Sequence, residues 1–403
     1  MKTRADRLGK MPEYPFARWG ERVNAVCARG IDVIRLDMGN PDLPSPDTVI
    51  DALCSSAHRS DSHGYPGYRG IPGLREAIAA YYARRFGVTL DPKNEIVPLL
   101  GSKEGIVHLS LAILDPGDIV LVPDPGYPSY TMGAILAGVE VYKFPLDQDH
   151  GFLPDFDAIP PEIADAARMM WLNYPNNPTT ATADLGFFEQ AVSFARKNDI
   201  LICHDAPYCD VAYDGYVPPS LMQVPGAVDV AVEFNSLSKT YNMAGWRVGM
   251  AVGNPDVLAS LSLVKSNVDS GQFLAVQEAA ARALAIPQEW IEARNQIYQE
   301  RMRTAISGLA SLGFSATPPK ATFYIWTQVP EGWKSEDFAI ALLEKAGVSV
   351  APGSFFGENG EGYIRISLTS PEPRVAEAID RISKVLKGSL LFGAGNQMLT
   401  NKE

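Results

Sequence analysis

Short apolar segments alternate with helical segments through the middle of this chain, and this alternation is what most restricts its fold. The apolar segments lie near 118–122, 139–144, 168–173, 199–203, 229–235 and 247–252. Strands that alternate with helices are typical of βαβ units, in which the strands run parallel. The sequence therefore predicts an α/β fold built on a largely parallel sheet.

The length of the chain and the pattern of its last third predict a second domain. A chain of 403 residues exceeds what one hydrophobic core usually supports. Helices are predicted near 289–312, 335–346 and 372–387, around strand-like segments at 322–326 and 363–367. We therefore predict an N-terminal arm and segment over 1–45 that packs with the small domain, a large domain over 46–287, a small α+β domain over 288–390, and a tail over 391–403.

The composition predicts an ordinary globular protein of the cytoplasm. Hydrophobic residues make up 46% of the chain and charged residues 20%, and the net charge of −12 offers no basic surface for nucleic acid. No run of about 18 apolar residues is present, and the charged N-terminus lacks an apolar leader segment, so no membrane span is expected. The four cysteines are scattered as in reduced proteins, and the five histidines show no metal-binding pattern.

The run around Lys239 carries the most specific chemical signal. Residues 235–241 read Asn-Ser-Leu-Ser-Lys-Thr-Tyr and follow an apolar stretch over 228–234 that is typical of a buried strand. A lysine held at the end of a strand, away from water, can lose its proton and attack an aldehyde. Ser236, Ser238 and Arg247 supply the hydroxyl and guanidinium donors that bind a phosphate. The run therefore predicts a lysine that carries pyridoxal phosphate, and the alternative is an exposed loop lysine.

A second polar cluster follows the apolar segment 199–202. Residues 203–208 read Cys-His-Asp-Ala-Pro-Tyr, and ligands of open α/β sheets bind at the carboxyl ends of the strands. A carboxylate there can pair with a protonated pyridine nitrogen, so Asp205 fits the ring nitrogen of the cofactor and Tyr208 fits its phenolic oxygen. The alternative is that Asp205 caps a helix and Tyr208 is a half-buried packing residue.

The turn after the segment 168–172 contains a third candidate. Residues 173–179 read Asn-Tyr-Pro-Asn-Asn-Pro-Thr, a composition that is typical of a sharp turn. Asn177 lies between Asn176 and Pro178, where its amide could donate to the phenolic oxygen of the cofactor. The alternative is a turn with no binding role.

A helix start provides the fourth candidate. Residues 101–105 read Gly-Ser-Lys-Glu-Gly and open a helical stretch that runs to Leu114. Free backbone N–H groups and the helix dipole make such a start favourable for an anion. The spacing matches neither a P-loop nor a dinucleotide-binding glycine motif. The alternative is an ordinary capped helix.

Taken together, these motifs make the chain resemble the class I and II aminotransferases of the fold-type I pyridoxal-phosphate superfamily. The likeness extends from the segment 37–42 to the segment 362–367. Segments 63–65, 69–72 and 241–247 are most similar to the bacterial branch that holds alanine (glutamate–pyruvate) and LL-diaminopimelate aminotransferases. The resemblance implies a large domain with a mostly parallel seven-stranded sheet and helices on both faces, plus a smaller α+β domain.

The resemblance also implies how the cofactor is held. Lys239 would bond to the aldehyde of pyridoxal phosphate, and Asp205 would hold its ring nitrogen. Asn177 and Tyr208 would bind the phenolic oxygen, and Tyr127 would stack on the ring. The phosphate would be surrounded by Ser102, Lys103 through its backbone, Ser236, Ser238 and Arg247.

The substrate and a second subunit would complete the site. By resemblance, Arg365 would bind the substrate α-carboxylate beside Gly39 and Asn177, whereas the alternative for Arg365 is a surface charge on an edge strand. Lys103 would either contact a distal substrate carboxylate or remain a solvated side chain of the first helical turn. Tyr65 would reach the cofactor phosphate of the neighbouring subunit, which implies a homodimer with shared active sites.

The implied reaction is transfer of an amino group between an L-amino acid and a 2-oxo acid by a ping-pong mechanism. Glutamate or alanine, aspartate, and LL-diaminopimelate all remain open as substrates. A lyase or a decarboxylase on the same fold is an alternative, because a fold does not determine a reaction. A pyridoxal-phosphate-binding regulator is a further alternative, although no basic module precedes the N-terminal arm.

Overall fold

The structure is a computed structural model that describes residues 1–387 of the chain. Up to residue 172 its helices and strands are α1 (Pro15–Ala28), β1 (Ile34–Leu36), α2 (Asp47–Ala57), α3 (Pro72–Phe86), β2 (Ile96–Leu99), α4 (Ser102–Ile113), β3 (Ile119–Asp124), α5 (Ser129–Ala137), β4 (Glu140–Pro145), α6 (Pro161–Ala166) and β5 (Ala167–Leu172). From residue 185 onward they are α7 (Leu185–Asn198), β6 (Leu201–Asp205), β7 (Ala231–Ser236), α8 (Leu237–Thr240), β8 (Gly249–Gly253), α9 (Pro255–Val268), α10 (Leu274–Leu284), α11 (Gln288–Ser311), β9 (Tyr324–Gln328), α12 (Ser335–Ala341), β10 (Val348–Pro352), β11 (Tyr363–Ser367) and α13 (Glu372–Lys387).

The larger sheet has seven strands in the order β2-β8-β7-β6-β5-β3-β4. The strand pairs from β7 to β4 are parallel, whereas β8 is antiparallel to both of its neighbours, β2 and β7. Met170 and Leu172 of β5 join one hydrophobic cluster, and Met169 and Trp171 join another. Because alternate residues of a strand point to opposite faces, both faces of the sheet are covered. The predicted α/β fold with a mostly parallel sheet is confirmed.

The smaller sheet has four strands in the order β1-β10-β11-β9. Strand β1 comes from the N-terminal segment and pairs in parallel with β10, and the remaining pairs are antiparallel. Trp19 of α1 lies in the same hydrophobic cluster as Leu309 of α11 and Val375 of α13. The N-terminal segment thus packs on the C-terminal part of the described chain, while the domain boundaries given above stay predictions.

Local sequence signals explain where several helices begin and end. Helix α3 begins at Pro72, which fits the first helical position, and it ends at Phe86, because the next residue, Gly87, has φ of 69° in the left-handed region. Helix α7 begins after Asp184, whose carboxylate accepts a 2.8 Å hydrogen bond from the backbone of Phe187. These boundaries need only local contacts, so sequence patterns find them well.

Several strand boundaries were predicted wrongly. The predicted strand over 228–234 begins only at Ala231, because Ala227–Asp229 forms a 3₁₀ turn. The predicted strand near 199–203 lies at Leu201–Asp205, since Asp199 has φ of 56° and ends the preceding helix. Arg247, predicted to open a strand, has φ of 57°, and β8 begins at Gly249. In each case the predicted strand includes residues of the turn that precedes it. Hydrophobic periodicity alone does not separate such a turn from the strand.

Two elements of the C-terminal part also differ from the prediction. The strand expected over 322–326 runs from Tyr324 to Gln328, and Thr322 before it has φ of 70°. The helix expected over 335–346 is α-helical only to Ala341 and continues as a π-helical turn over Leu342–Ala346. The tail over 391–403 and residues 388–390 of the predicted small domain lie outside the described residues. Within residues 1–387, no helix is long and apolar enough to cross a membrane.

Candidate active site

A cavity of about 450 Å³ lies at the carboxyl ends of strands β5, β6 and β7 and at the start of helix α4. Twelve of the thirteen predicted site residues line it: Gly39, Ser102, Lys103, Tyr127, Asn177, Asp205, Tyr208, Ser236, Ser238, Lys239, Arg247 and Arg365. Tyr65 does not line it. The carboxyl ends of parallel strands meet at one edge of a sheet, which is why motifs far apart in sequence converge here.

Lys239 lies in α8, a one-turn helix that directly follows β7. The hydroxyl of Ser236 caps this turn by accepting a 3.2 Å hydrogen bond from the backbone of Ser238. The Nζ of Lys239 donates a hydrogen bond to the backbone oxygen of Gly39. Burial, together with the charges of Arg365 and Arg247, lowers the pKa of Lys239 to about 7. Lys239 is therefore not an exposed loop lysine, and at neutral pH a large fraction of it is an uncharged nucleophile.

Asp205 is the last residue of β6 and is only 4% exposed. Its Oδ2 accepts a 2.9 Å hydrogen bond from the hydroxyl of Tyr130, whereas the buried Oδ1 has no partner among the described residues. Burial raises the pKa of Asp205 to about 6, and the Tyr130 hydroxyl and the nearby charges of His204 and Lys239 oppose that shift. A buried carboxylate oxygen without a partner calls for a donor, and the protonated nitrogen of a pyridine ring fits.

Tyr208 is buried, and its hydroxyl lies 3.0 Å from the hydroxyl of Tyr324 on β9. Burial raises the pKa of Tyr208 well above its usual value, so the phenol is protonated and can donate. The alternative of Tyr208 as a half-buried packing residue is therefore wrong. Tyr324 and Tyr130 line or support the site, but the sequence patterns did not point to them.

Arg365 is only 3% exposed and lies on β11, an interior strand of the smaller sheet. The alternative of a surface charge on an edge strand is therefore wrong. Its Nη1 donates to Asn177 Oδ1 at 2.6 Å and its Nη2 donates to the backbone oxygen of Asp37 at 2.7 Å. The rings of Phe16, Tyr324 and Phe356 surround the guanidinium, with centroids 5.4, 4.1 and 4.8 Å from its central carbon. A guanidinium held this rigidly is suited to a carboxylate.

Two glycines allow the close approaches that shape this cavity. A methyl group at Gly39 would overlap the hydroxyl of Tyr324. Gly101 has φ of 82°, and a methyl group there would overlap the guanidinium of Arg247. Only glycine therefore lets the backbone lie beside these two side chains.

The hydroxyl and guanidinium donors predicted for a phosphate all line this cavity. Ser236 and Ser238 are buried, Ser102 opens α4, and the exposed Arg247 donates a 2.8 Å hydrogen bond to the backbone oxygen of Ala244. The first N–H groups of a helix have no partner within the helix, so the start of α4 adds backbone donors to this group. The donor set suits a phosphate dianion.

Tyr127, Asn177 and Lys103 complete the lining. The ring of Tyr127 meets the ring of Tyr130 edge to face at 5.7 Å, and burial raises its pKa. Because Arg365 occupies the Oδ1 of Asn177, the amide nitrogen of Asn177 remains the group that can donate into the cavity. Lys103 is exposed, and its Nζ lies 4.2 Å from the ring centroid of Tyr14. Lys103 is thus both solvated and part of the cavity lining.

Tyr65 lies outside the cavity of its own chain and is 91% exposed. The neighbouring Tyr68 is 55% exposed, and Phe273, which stacks on His63, is 41% exposed. The prediction that Tyr65 serves a neighbouring subunit stays a prediction.

One polar cluster beside the cavity contains metal-ligand residue types. Glu104, His108 and Asp269 offer ligand atoms within 4.8 Å of one another. The Nζ of the buried Lys265 lies 2.9 Å from both Glu104 and Asp269. Lys265 therefore already contacts both carboxylates and offsets part of their charge.

Comparisons with known proteins agree with the geometry of the cavity. The family model "Aminotransferase class I and II" matches residues 31–382. The chain is 51% identical to the LL-diaminopimelate aminotransferase of Moorella thermoacetica, across 95% of this chain and 98% of that protein. A substrate-bound BacF structure from Bacillus subtilis has a TM-score of 0.92 at 38% identity, across 96% of this chain and 98% of that one. The chain therefore belongs to the class I and II aminotransferase family.

Membership defines the reaction class. The chain is a pyridoxal-phosphate-dependent aminotransferase that moves an amino group between an L-amino acid and a 2-oxo acid. The relative of Syntrophobacter fumaroxidans, 48% identical over 95% of this chain and 99% of that protein, is also an LL-diaminopimelate aminotransferase. The lyase, decarboxylase and regulator alternatives are accordingly set aside.

Proposed function

We propose that this aminotransferase binds pyridoxal phosphate in the 450 Å³ cavity, with Lys239 as the residue that bonds to the cofactor's aldehyde. The main support is one juxtaposition. A lysine whose pKa is lowered to about 7 and a buried carboxylate oxygen without a partner, on Asp205, face the same cavity. The amine of Lys239 suits the aldehyde of an electrophilic pyridine ring, and the carboxylate of Asp205 suits the nitrogen of that ring. When bound, the cofactor takes up the amino group and withdraws electrons from the Cα of the substrate.

The remaining cavity residues are proposed to take the roles that the family resemblance implies. Asp205 holds the protonated ring nitrogen, Asn177 and Tyr208 donate to the phenolic oxygen, and Tyr127 lies on the ring face. The phosphate is held by Ser102, the backbone of Lys103, Ser236, Ser238 and Arg247. Each of these residues lines the cavity.

Two basic side chains, Arg365 and Lys239, then act on the substrate. Arg365 binds the α-carboxylate through its two terminal nitrogens and so directs the Cα hydrogen of the amino acid towards Lys239. Once the substrate amine has replaced it at the aldehyde, the free Nζ of Lys239 would remove the Cα proton as a general base and later return it as a general acid, which its pKa of about 7 favours at neutral pH. The same residues act in reverse on the second oxo acid, which gives the ping-pong order.

The pKa of Lys239 gives a direct test of its role. Only the neutral amine attacks an aldehyde, so we expect covalent capture of pyridoxal phosphate by the apoprotein to speed up as the pH rises through about 7 and then to level off. Stopped-flow absorbance across the pH range measures this rate, and Lys239→Ala provides the background. A midpoint near the ordinary lysine value of 10.5 would contradict the assignment.

For the substrate, we propose an amino acid with a second carboxylate, of the LL-diaminopimelate type. Three relatives that are 48–51% identical to this chain are named for this substrate. In addition, the exposed Lys103 places a cation on the cavity lining, next to Tyr14, where a distal carboxylate could bind. The ring of Tyr14 is the electrostatic partner of the Lys103 side chain in this structure, and a bound carboxylate would take the place of that ring.

A donor screen with one variant tests this substrate proposal. We expect LL-diaminopimelate to be the best of a panel with glutamate, aspartate and alanine, with 2-oxoglutarate as acceptor. Lys103→Met should lower kcat/KM for LL-diaminopimelate by about 10- to 100-fold, because a hydrogen bond to a charged group contributes about 1.5–3 kcal/mol. Turnover of the best donor without a second carboxylate is the matched control and should change little. Equal losses of kcat/KM for both donors would show that Lys103 does not bind the distal carboxylate of the substrate.

We further propose a homodimer in which Tyr65 of the partner subunit reaches the cofactor phosphate. The support is the exposed aromatic group of Tyr65, Tyr68 and Phe273, because soluble monomers rarely expose such residues together. A solution mass of about twice 43.8 kDa is expected. Mixing inactive Lys239→Ala chains with impaired Tyr65→Ala chains should restore one working site per heterodimer. No recovery after proven subunit exchange would contradict the shared site.

A further inference from the structure

Arg294 is a buried arginine of α11 that does not line the cavity, yet it contacts the backbone of two segments that do. It is 3% exposed. Its Nη1 donates to the backbone oxygen of Lys239 and, at 2.7 Å, to that of Thr240. Its Nη2 donates at 2.6 Å to the backbone oxygen of Asp210. One guanidinium therefore joins the turn that carries Lys239 to the segment that carries Asp205 and Tyr208.

The partners of Arg294 are unusual for a buried charge. Within residues 1–387, every hydrogen bond that it donates ends on an uncharged oxygen, the fourth being Asn295 Oδ1 at 2.7 Å. Burying a charge without a carboxylate partner is costly, so carbonyl groups must supply the compensation. The last carbonyl groups of a helix are the negative end of its dipole. In the one-turn helix α8 they include those of Lys239 and Thr240, which Arg294 contacts.

The Asp210 end of this link is fixed independently. The carboxylate of Asp210 accepts hydrogen bonds from Arg85 at 2.8 Å and from Tyr81 at 2.6 Å, both on α3. Asn295 donates a second hydrogen bond, at 2.9 Å, to the same Asp210 backbone oxygen that Arg294 contacts. Arg294 thus joins the short helix α8, which carries Lys239, to the segment of Asp210, which is already bonded to helix α3.

We propose that Arg294 is a positioning residue that fixes the backbone of Lys239 so that its Nζ meets the aldehyde of the cofactor. The inference rests on the proposed covalent role of Lys239. The planar fork of arginine reaches three carbonyl oxygens in two segments at once, whereas a lysine at this position would reach fewer of them and from a flexible stem. The charge alone is therefore not sufficient, and the geometry of the guanidinium is what the site requires.

The test is the pH profile of covalent pyridoxal phosphate capture by the full-length apoprotein. For Arg294→Lys, which keeps the charge, we expect the plateau rate above pH 7 to fall about 10- to 100-fold, since misplacing a reacting group by about 1 Å has effects of this size. The midpoint of the profile should stay near that of the parent protein. Arg294→Met should be at least as slow. Rates are normalised to folded protein, and kcat should fall in parallel.

A core truncation on the same helix separates positioning from general destabilisation. Leu309→Ala removes buried side-chain contacts of α11 far from residue 239, so it should lower Tm but leave the capture rate unchanged. Capture by Arg294→Lys at the parental rate would overturn the proposal, and so would a shifted midpoint with an unchanged plateau. If the Arg294 variants yield no folded protein, Asn295→Ala is the second variant, because it removes both the bond that Asn295 accepts from Arg294 and the bond that it donates to the Asp210 oxygen. A smaller slowing is expected, and no slowing would overturn the proposal. Borohydride labelling of the parent at a residue other than Lys239 would instead refute the proposed function.

Discussion

Replacing Lys239 with alanine is expected to reduce transamination by about 10⁴-fold or more, because this single side chain supplies both the covalent attachment and the proton transfer. The cofactor should still bind without a covalent bond, since Ser236, Ser238 and the start of α4 are unchanged in the variant. Activity assays and the absorbance of bound cofactor measure the two effects separately. Lys197→Ala, on the exposed side of α7, is the matched lysine control and should be fully active.

Borohydride reduction of the wild-type protein, followed by peptide mapping, locates the attachment site directly. We expect the label on Lys239 and none in the Lys239→Ala variant. Labelling of any other lysine in the wild-type protein, or undiminished turnover by the variant, would refute the assigned role.

The second large effect is expected at Arg365, whose loss should mainly weaken amino-acid binding. Arg365→Lys keeps a positive charge but loses the fork that bonds to Asn177 and to the backbone of Asp37. Breaking a desolvated, charge-assisted pair costs about 2–5 kcal/mol, which corresponds to a loss in kcat/KM of roughly 30-fold to several thousand-fold. Steady-state kinetics with several donors measure this loss.

The capture of pyridoxal phosphate by the Arg365→Lys apoprotein distinguishes substrate binding from damage to the cofactor site. The plateau of the capture rate should stay close to that of the wild-type protein, although Arg365→Lys replaces a guanidinium near Lys239 with an ammonium group. Arg374→Lys, a partly exposed arginine on α13, is the control for arginine replacement in the same part of the chain. Unchanged kcat/KM for every donor would place the carboxylate site elsewhere.

Much of the site could be predicted because its residues follow strands directly. Asp205 ends β6, Lys239 follows β7 within one helical turn, and Asn177 lies in the turn after β5. Parallel neighbouring strands carry these ends to the same edge of the sheet, so a polar group after each apolar run already predicts a shared cavity. The resemblance to a family added roles to residues that this pattern had only brought together.

Other features escaped prediction because they depend on strand order and on contacts between distant segments. Tyr324 reaches Tyr208 from the smaller sheet, and Tyr130 reaches Asp205 from α5, without any local motif that marks either tyrosine. Strand β8 runs antiparallel to its neighbours although its apolar pattern is like that of the parallel strands. Hydrophobic periodicity reports burial but not direction, so this reversal is invisible in the sequence.

The sequence by itself therefore determined the class of fold, the family, and most of the residues that were predicted to line the cavity, because many of those residues follow local patterns repeated at the strand ends. The tertiary structure alone decided the state of these groups. It buried Lys239 and Asp205 enough to move their pKa values towards neutrality, placed Arg365 on an interior strand inside an aromatic enclosure, and set Arg294 behind Lys239. Desolvation and hydrogen bonding arise from every neighbour in space, and most of those neighbours are remote in the chain.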